Sequence, residues 1–165
     1  MDPRPIRRID EEQSGVSFTG VFQHAIDAKG RTSLPSRFRE VLAAQGAEKL
    51  FVTTDLFDSC LQAYAPSQWT AFTQRVAGLS QFDPAVRQLI RTFVAPAQEC
   101  PVDKLGRILI PPTLRQHAGI DGEVTWAGSV DRIEVWAPAR WAQSQEKARA
   151  PEVQAQLAQR LHQLL

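Results

Sequence analysis

Two short stretches of the chain carry the same arrangement of charged residues around a glycine. The first reads DAKGRTSLPSRFRE from Asp27 to Glu40, and the second reads DKLGRILIPPTLRQ from Asp103 to Gln116, 76 residues later. Both follow the pattern Asp-x-x-Gly-Arg-x-x-x-Pro. An arginine held at a turn can donate two hydrogen bonds to guanine or to a phosphate, while the aspartate accepts N–H groups of the turn. The pattern therefore favours polar recognition of an anionic surface.

The positive charge of the chain is concentrated in these two stretches. The 165-residue chain has a formal net charge of +1. Residues 27–39 contribute +3 and residues 103–115 contribute +2, so the rest of the chain sums to −4. An exposed Asp/Arg pair can equally be a surface salt bridge, which contributes only about 0–1 kcal/mol. Because the surplus charge is confined to two copies of one motif, binding of a polyanion is the favoured interpretation.

The other reactive side chains match neither a metal site nor an enzyme. The two cysteines, Cys60 and Cys100, have no CxxC spacing, and the three histidines fit no metal pattern. No nucleophile and base stand at a recognisable spacing, and no glycine-rich phosphate loop is present. We therefore predict no metal, no cofactor and no enzymatic activity; an enzyme built around Asp, Arg and His24 is the alternative.

Composition predicts a compact protein. With 165 residues and 43% hydrophobic residues, the chain can form one domain or two small interlocked halves around a core. No apolar run approaches the ~20 residues that span a bilayer, and the first residues have no hydrophobic stretch of a secretory signal. We expect a cytoplasmic protein without a membrane partner.

The repetition extends into the elements that position the two motifs. The stretch QAYAPSQW at 62–69 matches EVWAPARW at 134–141 with an offset of 72 residues, so the sequence contains two copies of one supersecondary unit. Each copy predicts a strand, a three-residue turn, a second strand, a short proline-led helix and a strand pair. The third turn residue, Gly30 or Gly106, is expected to have a positive φ, which brings each Asp opposite its Arg.

Helical patterns lie between and after the two copies. The stretches PSQWTAFTQRVAGL and DPAVRQLIRTFVA are amphipathic, and we expect them to pack on the sheet or on a neighbouring subunit. The carboxy-terminal stretch predicts a helix interrupted by Pro151. Its Leu157, Leu161 and Leu164 form either an oligomer seam or the face of a surface helix. Residues 1–16 are expected to be a disordered extension, with a basic arm as the alternative.

Together these motifs resemble the MraZ family, which is built from two SpoVT-AbrB-type repeats. FTGVFQHAIDAKGRTSLPSRFREVL is similar to the first signature of the family, and DKLGRILIPPTLRQHAGI with VWAPARW is similar to the second. The resemblance runs from about Phe18 to Trp141. Two positions depart from it: Thr32 replaces a usual aliphatic residue, and Leu105 stands at a turn position that is more often polar.

The resemblance implies a fold and an assembly. The fold is α+β and mainly β: a swapped-hairpin, AbrB-like, double-psi-type barrel formed by two tandem repeats of one chain, with peripheral helices. The expected divisions are an extension over 1–16, the first repeat with its following helices over 17–96, the second repeat over 97–142 and a helical tail over 143–165. Several chains are expected to close into a homo-oligomeric, octamer-like ring.

The resemblance also implies a function. The family consists of transcriptional regulators, and this chain is expected to repress its own division and cell-wall gene cluster from tandem promoter repeats of double-stranded DNA, as a nucleoid-associated protein. The alternatives are a protein-binding module of the antitoxin type and a ring that sequesters another protein. Arg31 and Arg107 are expected to contact bases, and the lysines to contact phosphates. The residues expected to bind DNA are Lys29, Arg31, Arg37, Arg39, Lys104, Arg107 and Arg115, and those expected to shape the turns are Asp27, Gly30, Asp103 and Gly106.

Overall fold

The computed structural model describes residues 17–165, so the expected extension over residues 1–16 lies outside the described part of the chain. Pairs of strands alternate with one or two helices along it. The strands are β1 Val21–Ala25, β2 Arg31–Ser33, β3 Lys49–Thr54, β4 Leu61–Tyr64, β5 Gln98–Pro101, β6 Arg107–Leu109, β7 Glu123–Ser129 and β8 Arg132–Trp136. The helices are α1 Ser36–Ala44, α2 Pro66–Ala77, α3 Pro84–Leu89, α4 Pro112–Ala118, α5 Pro138–Lys147 and α6 Pro151–Leu164.

Proline marks the start of the helices. A proline occupies the first helical turn of α2 to α6, where its missing N–H has no helical partner to lose, and Pro35 immediately precedes α1. The carboxy-terminal stretch is indeed divided at Pro151 into α5 and α6. Within residues 17–165, none of the helices is both long and apolar enough to cross a membrane.

The strands of the two repeats are interlocked by antiparallel pairing. Six strands form one sheet in the order β1-β7-β8-β4-β3-β5, and β2 pairs with β6 in a separate two-stranded ribbon. The equivalent strands of the two repeats are β1 and β5, β2 and β6, β3 and β7, and β4 and β8. Exchanging the two members of each pair reverses the sheet order, so the two copies are related by a pseudo-twofold axis between β4 and β8. The first strand of each repeat pairs with a strand of the other repeat, β1 with β7 and β5 with β3.

This architecture confirms the coarse fold prediction. The class is α+β with a mainly antiparallel sheet built from two repeats. The described strands form an open six-stranded sheet and a separate ribbon, not one closed hydrogen-bonded ladder. Two backbone bonds join the ribbon to the turns. Leu34 N–H donates to the Gly106 carbonyl at 2.9 Å, and Ile110 N–H donates to the Gly30 carbonyl at 2.8 Å.

A single apolar core holds the sheet, the ribbon and the two short helices together. It contains inward-facing residues of the sheet, the ribbon and both helices or of the segments next to them. Among these are Leu34, Phe38, Ile110, Leu114 and Trp126, all buried. The inward residue of β2 is Thr32, which is also buried. Its hydroxyl donates to the Ala25 carbonyl at 2.9 Å, which explains how a threonine fits in the apolar core.

A second apolar cluster fixes the helices between the repeats. Tyr64, Trp69 and Phe93 are buried together where α2 and the segment after α3 pack on β3 and β4. That segment, Ile90–Val94, is a π-helix that continues α3. The Thr53 hydroxyl donates to the Phe93 carbonyl at 2.5 Å, so this carbonyl of the π-helix has a hydrogen-bond partner on β3. Trp69 and Phe93, one from each predicted amphipathic stretch, are thus buried against the sheet, whereas Leu79 remains 47% exposed.

Candidate nucleic-acid interface

The first motif forms a closed turn around the Asp27 carboxylate. One carboxylate oxygen accepts the N–H groups of Lys29 and Arg31 at 3.0 and 2.9 Å. The other oxygen accepts Nε of Arg31 at 2.8 Å. Gly30 completes the turn with a φ of +94° and donates its N–H to the Asp27 carbonyl at 2.9 Å. The predicted positive φ and the predicted Asp/Arg pairing are both confirmed here.

The second motif repeats this geometry. Asp103 accepts the N–H groups of Leu105 and Arg107, each at 2.9 Å, and also Nε of Arg107 at 2.9 Å. Gly106 has a φ of +76° and donates to the Asp103 carbonyl at 2.9 Å. The same turn therefore forms from two different loop sequences, AKG and KLG, because aspartate, glycine and arginine specify it.

The hydrogen bonds in the turns change the acidity of the aspartates. The Arg31 N–H and then its guanidinium hold the pKa of the Asp27 carboxyl at about 2, below its ordinary 3.8. The Arg107 N–H, opposed by desolvation and assisted by the guanidinium, lowers the pKa of Asp103 in the same direction. Both carboxylates therefore remain charged, and paired with their arginines, at neutral pH.

A pH dependence of stability follows from these lowered pKa values. The anionic aspartate is favoured in the folded state, so its contribution is present above about pH 4 and is lost as the pH falls towards about 2. We expect the difference in unfolding free energy between wild type and Asp27→Asn to shrink over that interval. Urea unfolding at several pH values measures it, and a difference that stays constant from about pH 5 to about pH 2 would contradict this assignment.

The ribbon places the two arginines on one exposed face. In the β2–β6 register, Arg31 lies opposite Leu109 and Arg107 lies opposite Ser33. These four residues face outward, whereas Thr32 and Ile108 between them are buried. From the strand spacings, the two arginine Cα atoms are about 8 Å apart diagonally across the ribbon. Sequence reasoning missed Ser33 and Leu109, since the cross-repeat pairing that brings them to this face leaves no mark in the sequence.

Each arginine is anchored at one edge and free at the other. Aspartate fixes Nε of Arg31 and of Arg107, while the side chains remain 38% and 32% exposed. Among residues 17–165, neither arginine has a hydrogen-bond acceptor for its two terminal nitrogens. Anchoring reduces the conformational freedom that a long side chain would lose on binding, and the free end is the edge that can donate to two acceptors at once.

The remaining predicted residues fall into two groups. Lys29 and Lys104 are exposed in the turns, Leu105 is 70% exposed at the tip of the second turn, and Arg37 is exposed on α1. Arg39 and Arg115 are placed differently. Arg115 packs over Gly30 and Arg39 packs over Gly106, so each lies against the turn of the other repeat.

Gly30 leaves no room for a side chain. A Cβ on Gly30 would lie 2.5 Å from the Ile110 carbonyl oxygen and 2.8 Å from Nε of Arg115. We expect Gly30→Ala to reduce the free energy of unfolding by ~1 kcal/mol or more, through the positive φ alone, with the steric conflict adding to it. Denaturant unfolding measures the loss. Gly46→Ala is the matched control, because its φ is also positive at +67° but nothing lies within 4 Å of the added Cβ. Equal losses at the two sites would show that the close approach has no effect.

One cluster of possible metal ligands lies away from the ribbon. Asp55, Cys60 and Glu134 bring their ligand atoms within 4.8 Å of one another. An oxygen of Asp55 already accepts Nε2 of Gln62 at 2.6 Å. Burial raises the pKa of the Cys60 thiol, which keeps it protonated and a poor ligand. We assign no metal to this group. Burial likewise raises the pKa of Cys100 to about 12, as expected for an unreactive structural thiol.

Comparisons with known proteins agree with the two-repeat organisation. A family model described as "MraZ protein, putative antitoxin-like" matches residues 17–92 and again residues 93–163. The chain is 44% identical over 124 residues to the transcriptional regulator MraZ of Lachnoclostridium phytofermentans, covering 75% of this chain and 84% of that protein. It is 38% identical over 148 residues to the protein of the same name from Geobacter metallireducens, covering 84% and 91% of the two chains.

A third relative extends the match to nearly its whole length. The transcriptional regulator MraZ of Symbiobacterium thermophilum is 39% identical over 142 residues, which cover 86% of this chain and 98% of the relative. These relatives carry the name of a regulator and not of an enzyme, in agreement with the prediction made for this sequence. The family model covers both repeats, and the relatives match along most of their length. The chain therefore belongs to the MraZ family.

Proposed function

We propose that this chain is a sequence-specific, DNA-binding transcriptional regulator that reads DNA with the outward face of the β2–β6 ribbon. The observation that carries the proposal is the pair Arg31 and Arg107, each anchored through Nε and free at its terminal nitrogens. The relatives' name supplies the regulatory class. Surface salt bridges alone would not require the same anchored geometry twice on one face.

The dimensions of the ribbon suit the major groove. A two-stranded antiparallel ribbon fits the groove, which is about 12 Å wide, and arginine donates to O6 and N7 of guanine there. Arginines whose Cα atoms are about 8 Å apart span about two base-pair steps of ~3.4 Å. Both arginines of one chain can therefore reach bases of the same groove segment.

The charges around the ribbon support a phosphate-binding rim. Lys29 and Lys104 are exposed in the turns and Arg37 is exposed on α1, so all three are accessible to the DNA backbone. The two aspartates on this surface are each paired with an arginine, so they repel DNA less than free carboxylates would. Because the rest of the chain has a net negative charge, DNA would approach the protein at the ribbon face.

The fold supports a barrel that presents this ribbon. We propose that β2 and β6 close over the open sheet to give a swapped-hairpin barrel of the AbrB type. The support is the buried contact of Thr32 and Ile108 with the core, together with the two backbone bonds from Leu34 and Ile110 to the turn glycines. Each repeat would then supply half of one barrel.

A ring of identical chains would give the ribbon its affinity. Near α2 and α3, an apolar groove is lined by residues including Tyr64, Phe72, Val76 and Leu79. Phe82, in the loop that joins the two helices, is 95% exposed. One chain therefore carries both an apolar groove and an exposed aromatic side chain, which suits a head-to-tail contact between copies, and such contacts close into rings. We propose that Phe82 of one copy enters the groove of the next.

The proposed target is a set of tandem boxes in the promoter of the chain's own division and cell-wall gene cluster, which the regulator would repress at the nucleoid. A mobility-shift titration with the DNA upstream of its own gene, at several salt concentrations, tests this. We expect a retarded complex that scrambled DNA of equal length displaces only weakly. The logarithm of the affinity should fall linearly with the logarithm of the salt concentration. Equal competition by scrambled DNA would refute sequence-specific recognition.

A protein-binding role of the antitoxin or sequestering type is the alternative. Two observations favour it: the description of the family model as antitoxin-like, and the exposed stripe of Leu157, Leu161 and Leu164 on α6. The duplicated repeat and the mixed charge of the tail favour the DNA-binding role. Deleting residues 151–165 separates the two, since DNA binding through the ribbon would survive the deletion and protein capture by the tail would not.

A further inference from the structure

Two arginines at equivalent positions cross from each repeat to the turn of the other. Arg39 belongs to α1 and Arg115 to α4, and they are separated by the same 76 residues as the two motifs. Arg115 lies against Gly30, and Arg39 lies against Gly106. The pseudo-twofold symmetry of the fold therefore places one guanidinium behind each turn.

The contact of Arg115 is the better defined of the two. Its Nε donates to the Ile110 carbonyl at 3.0 Å, and the Ile110 N–H donates to the Gly30 carbonyl at 2.8 Å. Nε and Cζ of Arg115 lie 2.8 and 3.0 Å from where a Cβ of Gly30 would be. The guanidinium thus fills the space that the missing side chain leaves free, and it is bonded to the strand that holds the turn.

The contact of Arg39 is equivalent in place and weaker in bonding. Its Nη1, Cζ and Cδ lie where a Cβ of Gly106 would be, with Cζ at 2.9 Å and Cδ at 3.0 Å. Among the described residues, it has no hydrogen bond matching that of Arg115 to Ile110. Arg39 also remains exposed, whereas Arg115 is half-buried.

We infer that Arg39 and Arg115 are positioning residues, each of which holds the opposite repeat's turn in the shape that presents its arginine. Arg115 acts on Arg31, and Arg39 acts on Arg107. This inference rests on the proposed DNA-binding function and reassigns two residues that the sequence placed among direct DNA contacts. Arg37 of α1 is exposed without a partner in residues 17–165, and it keeps the role of a phosphate contact.

Salt dependence and a double-mutant cycle distinguish positioning from contact. A plot of log affinity against log salt concentration has a negative slope. Loss of a phosphate contact reduces the magnitude of this slope by about 1, whereas displacement of a base contact leaves the slope unchanged. We expect Arg115→Ala to weaken binding about tenfold at an unchanged slope, and Arg37→Ala to reduce the magnitude of the slope. The tenfold loss should fall below about twofold in an Arg31→Ala background and persist in an Arg107→Ala background. A slope reduced in magnitude by about 1, or an equal loss in both backgrounds, would overturn the inference.

Hydrogen exchange of the full-length protein tests the clamp without DNA. The Gly30 amide is bonded inside its turn, so it exchanges when the turn opens. We expect Arg115→Ala to accelerate exchange in the peptide covering residues 27–31 by at least about fivefold and to leave residues 103–107 unchanged. Arg39→Ala should do the reverse, to a smaller extent. Unchanged exchange in both peptides, or acceleration on the wrong side, would reject the clamp even if the chain bound no DNA.

Discussion

Replacing both Arg31 and Arg107 by alanine is expected to remove sequence-specific DNA binding while leaving the protein folded. Each arginine is anchored by an aspartate and presents two free donors on the ribbon face. Truncating one such bidentate donor costs ~1–3 kcal/mol and relaxes discrimination at its own base position. The double variant should therefore bind its operator no more tightly than scrambled DNA, as measured by mobility shift at fixed salt.

Two further variants show whether shape or charge causes the loss. Arg31→Lys keeps the charge but not the planar fork, so we expect it to lose discrimination almost as fully as Arg31→Ala. Lys29→Ala should weaken binding to all DNA sequences alike and reduce the magnitude of the salt slope by about 1. If Arg31→Lys bound like wild type, charge alone would explain the arginine, and base recognition by the ribbon would be wrong.

Phe82→Ser is expected to dissociate the ring and with it the tight binding of multiple boxes. Because this side chain is 95% exposed, its replacement should leave the fold of the single chain intact. Linked sites gain ~10²–10⁴ in affinity when their spacing lets them engage together. We therefore expect a loss of that size on DNA with several boxes about one helical turn apart, and no loss on DNA with a single box.

Light scattering provides the structural readout for this variant. The wild type should scatter as a multiple of the 18.4-kDa chain, and Phe82→Ser should scatter as a smaller species. Leu161→Ser is the matched control, since it removes another exposed apolar side chain, on α6. If the control dissociated the assembly and Phe82→Ser did not, the tail helix would be the seam. A wild type that is monomeric at micromolar concentration would refute the ring.

The sequence was most informative where structure is local. The turns at Gly30 and Gly106 and the helix starts at proline depend on residues a few positions apart, and all of them agree with the structure. The pairing of each aspartate with its arginine was predictable for the same reason. Repetition of the motif then indicated two copies of one unit, which the sheet order reflects.

The features that sequence reasoning missed all depend on contacts between the repeats. Nothing local indicates that Arg115 lies behind Gly30, because the two are 85 residues apart and meet only through the β2–β6 pairing. The same pairing sets which residues join the arginines on the exposed face. The π-helix at Ile90–Val94 was also missed, since its apolar spacing is that of an ordinary helix and its support comes from threonines on β3.

Replacement of the operator guanines by 7-deazaguanine tests the central claim most directly, because it replaces the N7 acceptor by a C–H group and keeps the O6 acceptor. The boxes are first located by footprinting, and 7-deazaguanine is then placed at one guanine position at a time. We expect wild-type binding to weaken about tenfold at the contacted guanines, and the Arg31→Ala, Arg107→Ala double variant to be insensitive at every position. Wild-type affinity that is unchanged at all guanines would contradict recognition of bases by the ribbon arginines.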